Sequence, residues 1–432
     1  MKEENTINIG LLGLGTVGSG VIKIIEGHKQ DIFQKTGVNI KVEKVLVQDI
    51  EKERDVNLDR NILTNDPYEV LDNPNIEVII EVMGSVEETF QYLMYALEKG
   101  KHIVTANKDL IAIHGPKLMV QANNYKRNIF YEASVAGGIP ILRSLVEGFS
   151  SDRITKIVGI VNGTTNYILS KMSEEGLSFD SMLEKAKNLG YAEADPTSDI
   201  EGLDATMKMV ILSNLAFNME VSFNDVYVKG ITGVTEEDIK FGKQLGYVIK
   251  LLGTAKLNDE QLEVSVQPTL VRNNHPLAKI DGVNNAIYVY GEAVGETMFF
   301  GSGAGQLPTA TAVVSDLISV IKHNKLGIYG ENIMPYRTKR IKTDELIEHR
   351  YFIRLKVIDR IGVLAQITKL FAENMISLQE ILQLSDDEDT KAQLILITHI
   401  TSKDKMNNLL KDIGKLEVVN QINSVYPVEE GE

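Results

Sequence analysis

Apolar and polar positions fall into three rhythms along the chain. Up to about residue 105, a short apolar run at 6–12 and further stretches at 40–47, 78–83 and 101–105 read as strands, with helical spacing at 17–25 and 87–99 between them. Such alternation predicts a parallel sheet flanked by helices. After Ser150, apolar or alternating runs at 154–161, 226–231, 247–257, 262–271 and 286–293 are not regularly interleaved with helices, which predicts a second, mostly antiparallel sheet. From residue 351 the pattern becomes strand 351–358, helix 363–373, strand 376–384, an acidic turn at 385–389, strand 392–400, helix 403–413 and strand 418–426. That order, βαββαβ, is the split pattern of ferredoxin-like modules.

Composition narrows the class. Over 432 residues, 43% hydrophobic and 24% charged content describe a folded globular chain of two or three domains. The net charge of −15 argues against a nucleic-acid or anionic-membrane partner. No apolar run approaches bilayer length, and the first residues lack a signal-peptide core, so the expected location is cytoplasmic. With no cysteine, disulfides and thiolate catalysis are excluded. The seven histidines are scattered, which disfavours a zinc site. The basic stretch 322–349 reads as a linker, because the chain as a whole is acidic.

The first strand runs into Gly13-Leu14-Gly15-Thr16-Val17-Gly18 and then a helix. In that context the glycines provide a tight turn, a close backbone approach for a pyrophosphate, and helix-on-strand packing. The second strand ends in Gln48-Asp49; the aspartate suits a ribose hydroxyl, while Lys52 and Arg54 suit a 2′-phosphate, leaving NAD and NADP both open. Lys108 follows the strand at 101–105, at the edge where open α/β sheets bind ligands. His102 is expected to be packed and His114, before Gly-Pro, to lie in a loop. A second glycine-rich loop, 301–308, precedes an apolar helix expected from residue 309 to about 320.

The most informative stretch is 186–208. Five carboxylates (Glu193, Asp195, Asp199, Glu201 and Asp204) precede Lys208, the single basic residue between 188 and 228, and an uncharged run follows at 209–219. Asp195-Pro196 reads as a turn. Asp204 and Lys208 share a helix face; they form either an ordinary ion pair or a proton donor and its partner at the mouth of a buried helix.

The run A-x3-G-Y-A-x2-D-P-x2-D-I-x-G-x-D-x3-K, from Ala186 to Lys208, resembles the signature of homoserine dehydrogenases. That resemblance implies an NAD(P)-dependent interconversion of L-homoserine and L-aspartate 4-semialdehyde. It assigns Lys208, Asp204 and Lys108 to catalysis, and Glu193, Lys108, Asp204 and Lys208 to substrate. Residues 13–18, Gln48, Lys108, Gly190, Gly303 and Gly305 are assigned to cofactor. A monovalent cation, Na+, is expected on backbone oxygens of Glu132, Val135, Gly137 and Ile139; the same segment also reads as a crossover hinge. Asp359-Arg-Ile-Gly362 resembles the first turn of ACT domains, implying an amino-acid effector such as L-threonine and a homodimer or homotetramer. The implied α/β architecture is a Rossmann-like domain over 1–131 completed by 303–321, and a substrate-binding and dimerisation domain over 132–302. A linker over 322–349 and an ACT-type domain over 350–432 complete it. The competing readings are a dehydrogenase of another hydroxy amino acid and a non-catalytic sensor of nucleotides or amino acids.

Overall fold

The computed structural model describes residues 6–385 and 390–431, so most of the predicted acidic turn, 386–389, lies outside the described residues. By contact the chain forms two compact units. One joins the chain up to Thr155 with Met207–Asp225 and Asn285–Lys339; the other joins Lys156–Thr206, Val226–Asn284 and the chain from Arg340.

In the first unit six strands, β1 (Thr6–Leu12), β2 (Asn39–Leu46), β3 (Leu63–Thr64), β4 (Val78–Glu81), β5 (His102–Thr105) and β6 (Ile129–Phe130), pair in parallel in the order β3-β2-β1-β4-β5-β6. This is the order of a doubly wound dinucleotide-binding sheet. All four residues of β4 and of β5 are buried, so Val78, Ile79 and Ile80, and Ile103 and Val104, run together rather than alternate with exposed positions. Ile9, Leu11 and Ile80 pack with Val21 and Ile25 of helix Thr16–Gly27 and with Val313 and Leu317 of helix Gln306–Leu326. The two helices touch so closely that a Cβ at Gly20 would lie 2.6 Å from the Gln306 carbonyl oxygen.

The second unit holds β7 (Ile154–Ile160), β8 (Tyr227–Val228), β9 (Tyr247–Asn258) and β10 (Gln261–Arg272). β11 (Asn284–Gly291) and β12 (Gly295–Ser302) return almost wholly to the first unit. β13 (Glu348–Ile358), β14 (Leu378–Ser385), β15 (Lys391–Thr398), β16 (Thr401–Ser402) and β17 (Val419–Glu429) then form the βαββαβ module with helices Val363–Glu373 and Lys403–Ile413. Within this unit the sheet order is β7-β9-β10-β17-β13-β15-β14. β9 and β10 are antiparallel, as their alternation predicts, but β10 meets β17 in parallel through Leu270 and Val271.

A buried ion cluster reinforces that junction. Arg354 on β13 donates from Nε to Asp238 Oδ1 at 2.7 Å, and also binds Glu237 and Thr235. Ser424 and Tyr426 on β17 donate to the same Asp238 carboxylate at 2.5 and 3.0 Å. Both Arg354 and Asp238 are shut off from solvent, so each depends on the other for charge compensation.

Four local expectations change. His114 lies within helix Lys108–Asn124, not in a loop: Pro116 removes one backbone bond, but the Asn107 cap and buried Leu110, Leu118 and Met119 keep the helix continuous. His114 Nε2 is 3.0 Å from Glu87, and its ring stacks on Phe90. The helix expected to end near residue 320 runs to Leu326 and stops at Gly327, whose left-handed backbone (φ 70°) suits glycine. The strand expected over 226–231 is only two residues long: Lys229 N still donates to Val266 O of β10, but Ile231 N turns away to Ile200 O. β12 is an unpredicted strand, masked in the sequence by its glycines. His102 is packed as expected: it is buried, and Nδ1 accepts from Asn128 N at 3.1 Å. No helix among the described residues is long and apolar enough to cross a membrane.

Candidate active site

The glycine motif stands at the C-terminal end of β1. Gly13 has φ 102°, a conformation open to glycine, and a Cβ at Gly18 would overlap the Gly13 carbonyl oxygen. A Cβ at Gly15 would meet no atom within 4 Å; it points into open space. That space is a cleft of about 660 Å³ lined by Gly13, Leu14, Gly15, Gln48, Asp49 and Arg54, among others. Thr16 and Val17 begin the helix whose N-terminal N–H groups suit a phosphate. Arg54 donates to the carbonyls of Asp49 (2.7 Å) and Lys52 (2.8 Å), while its buried Nε has no partner. Cleft size, glycine clearance and a cation at the far end fit a dinucleotide.

At the adjoining strand ends a buried carboxylate, which the sequence reading missed, braces the base of Lys108. Glu81 closes β4; its Oε2 accepts from Thr105 Oγ1 at 2.5 Å and Oε1 from Met83 N at 2.7 Å. Burial pushes its pKa up, against these hydrogen bonds. Asn107 caps the following helix through Leu110 N and donates to Ser85 O at 2.7 Å. Lys108, the first residue of that helix, is half-buried with its Nζ 3.4 Å from Asp109. The signal was a lone acid inside the apolar run 78–83.

The 132–139 segment also belongs to the first unit. Ala136 and Gly137 are successive left-handed residues, at φ 54° and 53°, so the backbone reverses sharply between Val135 and Ile139. A Cβ at Gly137 would lie 2.6 Å from the Gly303 carbonyl oxygen, which brings the second glycine loop alongside. The Glu132 side chain accepts from Leu142 N (2.7 Å) and Arg143 N (2.8 Å), and its own N–H donates to Asp316 at 2.8 Å. Asp316 also pairs with Arg143 at 2.8 Å. Burial, then the nearby Glu132, push the Asp316 carboxyl up to about 7 against the pull of Arg143. Gly305 precedes helix Gln306–Leu326 with φ 126°.

In the second unit the acidic run is drawn together by Asn162, another residue not singled out from sequence. Its Nδ2 donates to Asp199 Oδ1 at 2.7 Å and to Asp204 Oδ2 at 2.9 Å. Its Oδ1 accepts from Thr165 N at 2.9 Å, capping helix Gly163–Glu175. Asp195 accepts from Thr197 N (3.1 Å), forming the predicted turn, and a short helix Thr197–Ile200 follows. Gly202, at φ 81°, breaks the path before helix Leu203–Phe217, which carries Asp204 in its first turn and Lys208 one turn later. Both are half-buried; Met209–Leu212 beyond them are buried. Gly190 and Glu193 are exposed and stand apart from this cluster in the sequence, before the turn. From sequence, 162–166 reads only as a loop opening a helix, which the Asn162 cap bears out but which gives no sign of its carboxylate partners.

Three family models match the chain: "Homoserine dehydrogenase, NAD binding domain" over residues 13–132, "Homoserine dehydrogenase" over 140–318, and "ACT domain" over 351–418. The homoserine dehydrogenase of Bacillus subtilis is 51% identical over 425 residues, covering 98% of both chains. The crystal structure of a homoserine dehydrogenase from Thiobacillus denitrificans is 38% identical, with a TM-score of 0.91 and 99% of each chain covered. A hyperthermophilic archaeal homoserine dehydrogenase, solved in complex with NADPH, is 28% identical with a TM-score of 0.61, covering 73% of this chain and 97% of its own.

Proposed function

Because the chain belongs to the homoserine dehydrogenase family, we propose a residue-level account of how it interconverts L-homoserine and L-aspartate 4-semialdehyde. It is an oxidoreductase acting on a CH–OH group, with a nicotinamide-binding domain. When bound, the nicotinamide supplies or accepts the hydride at the carbonyl carbon. Gly13 to Gly18 and Gln48 hold the dinucleotide, with Gly303, Gly305, Gly190 and Lys108 as further cofactor contacts. The unpartnered Nε of Arg54, and the NADPH held by the archaeal relative, favour NADP over NAD.

The Lys208 ammonium delivers the proton to the carbonyl oxygen in reduction, and its neutral amine takes the hydroxyl proton in oxidation. Asp204, one turn earlier, orients it, and Asn162 positions Asp204. Glu193 binds the substrate's α-ammonium, and Lys108 orients its polar end. Groups of both charges suit a zwitterionic substrate, whereas a simple hydroxy acid calls for cations alone. The observation that carries this reading is the Asn162 amide shared by Asp199 and Asp204, which fixes the carboxylate one turn from Lys208.

The carbonyls of Glu132, Val135, Gly137 and Ile139 are the proposed seat of a monovalent cation, supported by the left-handed pair at Ala136 and Gly137. The ACT domain implies an amino-acid effector, and we take it to be L-threonine acting on a cytoplasmic homodimer or homotetramer. We propose the functional division 1–131 with 303–321, 132–302, the linker 322–349 and 350–432, with helix Gln306–Leu326 and strand β13 overrunning the two ends of the linker. The deciding experiment is homoserine oxidation, followed by nicotinamide absorbance with NAD and NADP, in Na+ and Na+-free buffer, with and without L-threonine. Preference for another hydroxy amino acid would overturn the substrate assignment.

A further inference from the structure

A second cavity, of about 160 Å³, lies wholly within the second unit, where helix Lys403–Ile413 and strands β13 and β17 face β8 and β10. It is smaller than the ~300–1,000 Å³ typical of drug-sized ligands, so it suits a molecule about the size of a single small amino acid. Its lining includes Lys229, Glu263, His349, Tyr351 and Lys403. None of these has a part in the catalytic account above.

Two groups here lack a counterpart. Tyr351 is only 6% exposed, yet its buried hydroxyl has no hydrogen-bond partner. A buried donor left unmade costs free energy that a bound acceptor would recover. Lys229 donates only to the Val425 carbonyl at 3.3 Å and stands 5.0 Å from the Tyr426 ring centre; among the described residues no carboxylate lies within ion-pairing distance of it. Lys403, by contrast, is paired with Asp344 at 3.0 Å and stacks over Tyr227. On the other side Glu263, 4% exposed, holds a negative charge with His349 Nε2 at 2.6 Å. The cavity therefore offers an unmatched ammonium and a free hydroxyl to a carboxylate, and a buried carboxylate to an ammonium.

We propose that this cavity is an effector site for a small α-amino acid, with its carboxylate on Lys229 and Tyr351 and its ammonium toward Glu263. The proposal rests on the amino-acid regulation read above and gives that regulation a location inside one chain. Its route to the acidic run is short. Two residues after Lys229, Ile231 N donates to Ile200 O at 2.8 Å, and a Cβ at Gly230 would overlap that same oxygen and lie 2.6 Å from Glu201 Cα. Ile200 and Glu201 stand between Asp199 and Asp204, so a ligand pulling on Lys229 pulls on the backbone that sets both carboxylates.

Calorimetric titration of the full chain with L-threonine, L-methionine and L-isoleucine tests this. At least one should bind, and its affinity should fall about tenfold or more in Lys229→Met and several-fold in Tyr351→Phe. Tyr351→Phe removes only an unpartnered hydroxyl, so its thermal midpoint should match or exceed the parent's, which a merely structural role would not produce. Arg360→Ala, in the 359–362 turn outside the cavity, should bind as the parent does. Unchanged affinity in both cavity variants, loss of binding in Arg360→Ala alone, or no binding of any of the three would overturn the proposal. Binding is read without turnover, so failure of the homoserine assay would strike the catalytic reading and not this one.

Discussion

Replacing Asn162 separates helix capping from active-site positioning. The residue is 5% exposed; it caps helix Gly163–Glu175 and donates to Asp199 and Asp204 at 2.7 and 2.9 Å. In Asn162→Ala the lost cap costs about 1 kcal/mol. Two hydrogen bonds to ionised acceptors would cost about 1.5–3 kcal/mol each if nothing replaced them. Both aspartates are half-buried, so water recovers part of this, and the sum is roughly 2–4 kcal/mol. Asn162→Asp keeps the cap, since aspartate caps as well as asparagine, but sets a third carboxylate against the other two. Like charges raise the new group's pKa in the folded state, so the native protein holds a proton that the unfolded chain releases. The destabilisation should thus be largest near about pH 8 and shrink as pH falls toward about 5. With Asp204 no longer fixed, kcat should drop roughly 10- to 100-fold in both variants. The assay is thermal midpoint and steady-state kcat across that pH range. Asn162→Asp with parental kcat and midpoint near pH 8 would refute the positioning role.

Lys208→Met should lower kcat by roughly 10²–10⁴ while leaving cofactor affinity, read by fluorescence titration, unchanged; undiminished turnover removes Lys208 as proton donor. Gly15→Ala should weaken cofactor binding with little change in thermal midpoint, because its Cβ meets no protein atom, whereas Gly18→Ala should lower the midpoint as well, through the Gly13 carbonyl. The Asp316 carboxyl, raised to about 7, gives a pH signature: between about pH 4 and 7 the folded state holds a proton that the unfolded chain has lost, so stability should fall as pH rises through that window. Asp316→Asn should flatten that fall in urea-midpoint measurements at about pH 5 and pH 8.

The strand–glycine–helix opening, the buried strands β4 and β5 and the βαββαβ module were legible because each writes a local rhythm: continuous apolar runs for strands covered on both faces, 3.6-residue spacing for helices. The acidic run stands out by charge, five acids and one lysine ahead of an uncharged helix, but charge alone does not separate an ordinary ion pair from a proton donor and its partner. Asn162 and Glu81 were not legible, because their importance lies in partners 42 and 24 residues away. The Asp238–Arg354 cluster, joining residues 116 apart, is invisible for the same reason. His114 was misplaced because Gly-Pro marks a turn locally, and only the buried contacts of Leu118 and Met119 override it. β12 escaped because glycine-rich sequence is shared by loops and by strands whose neighbours approach closely.

The parallel seam between β10 and β17, with Asp238 clamped by Arg354, Ser424 and Tyr426, makes the C-terminal module a poor candidate for modular exchange. Deleting it would strip Asp238 of three partners and leave β10 with a bare edge near Leu270, an invitation to aggregation. Shedding the module from this chain would mean rebuilding the β10 edge and replacing Asp238 at the same time, whereas a point substitution inside the module leaves that seam in place.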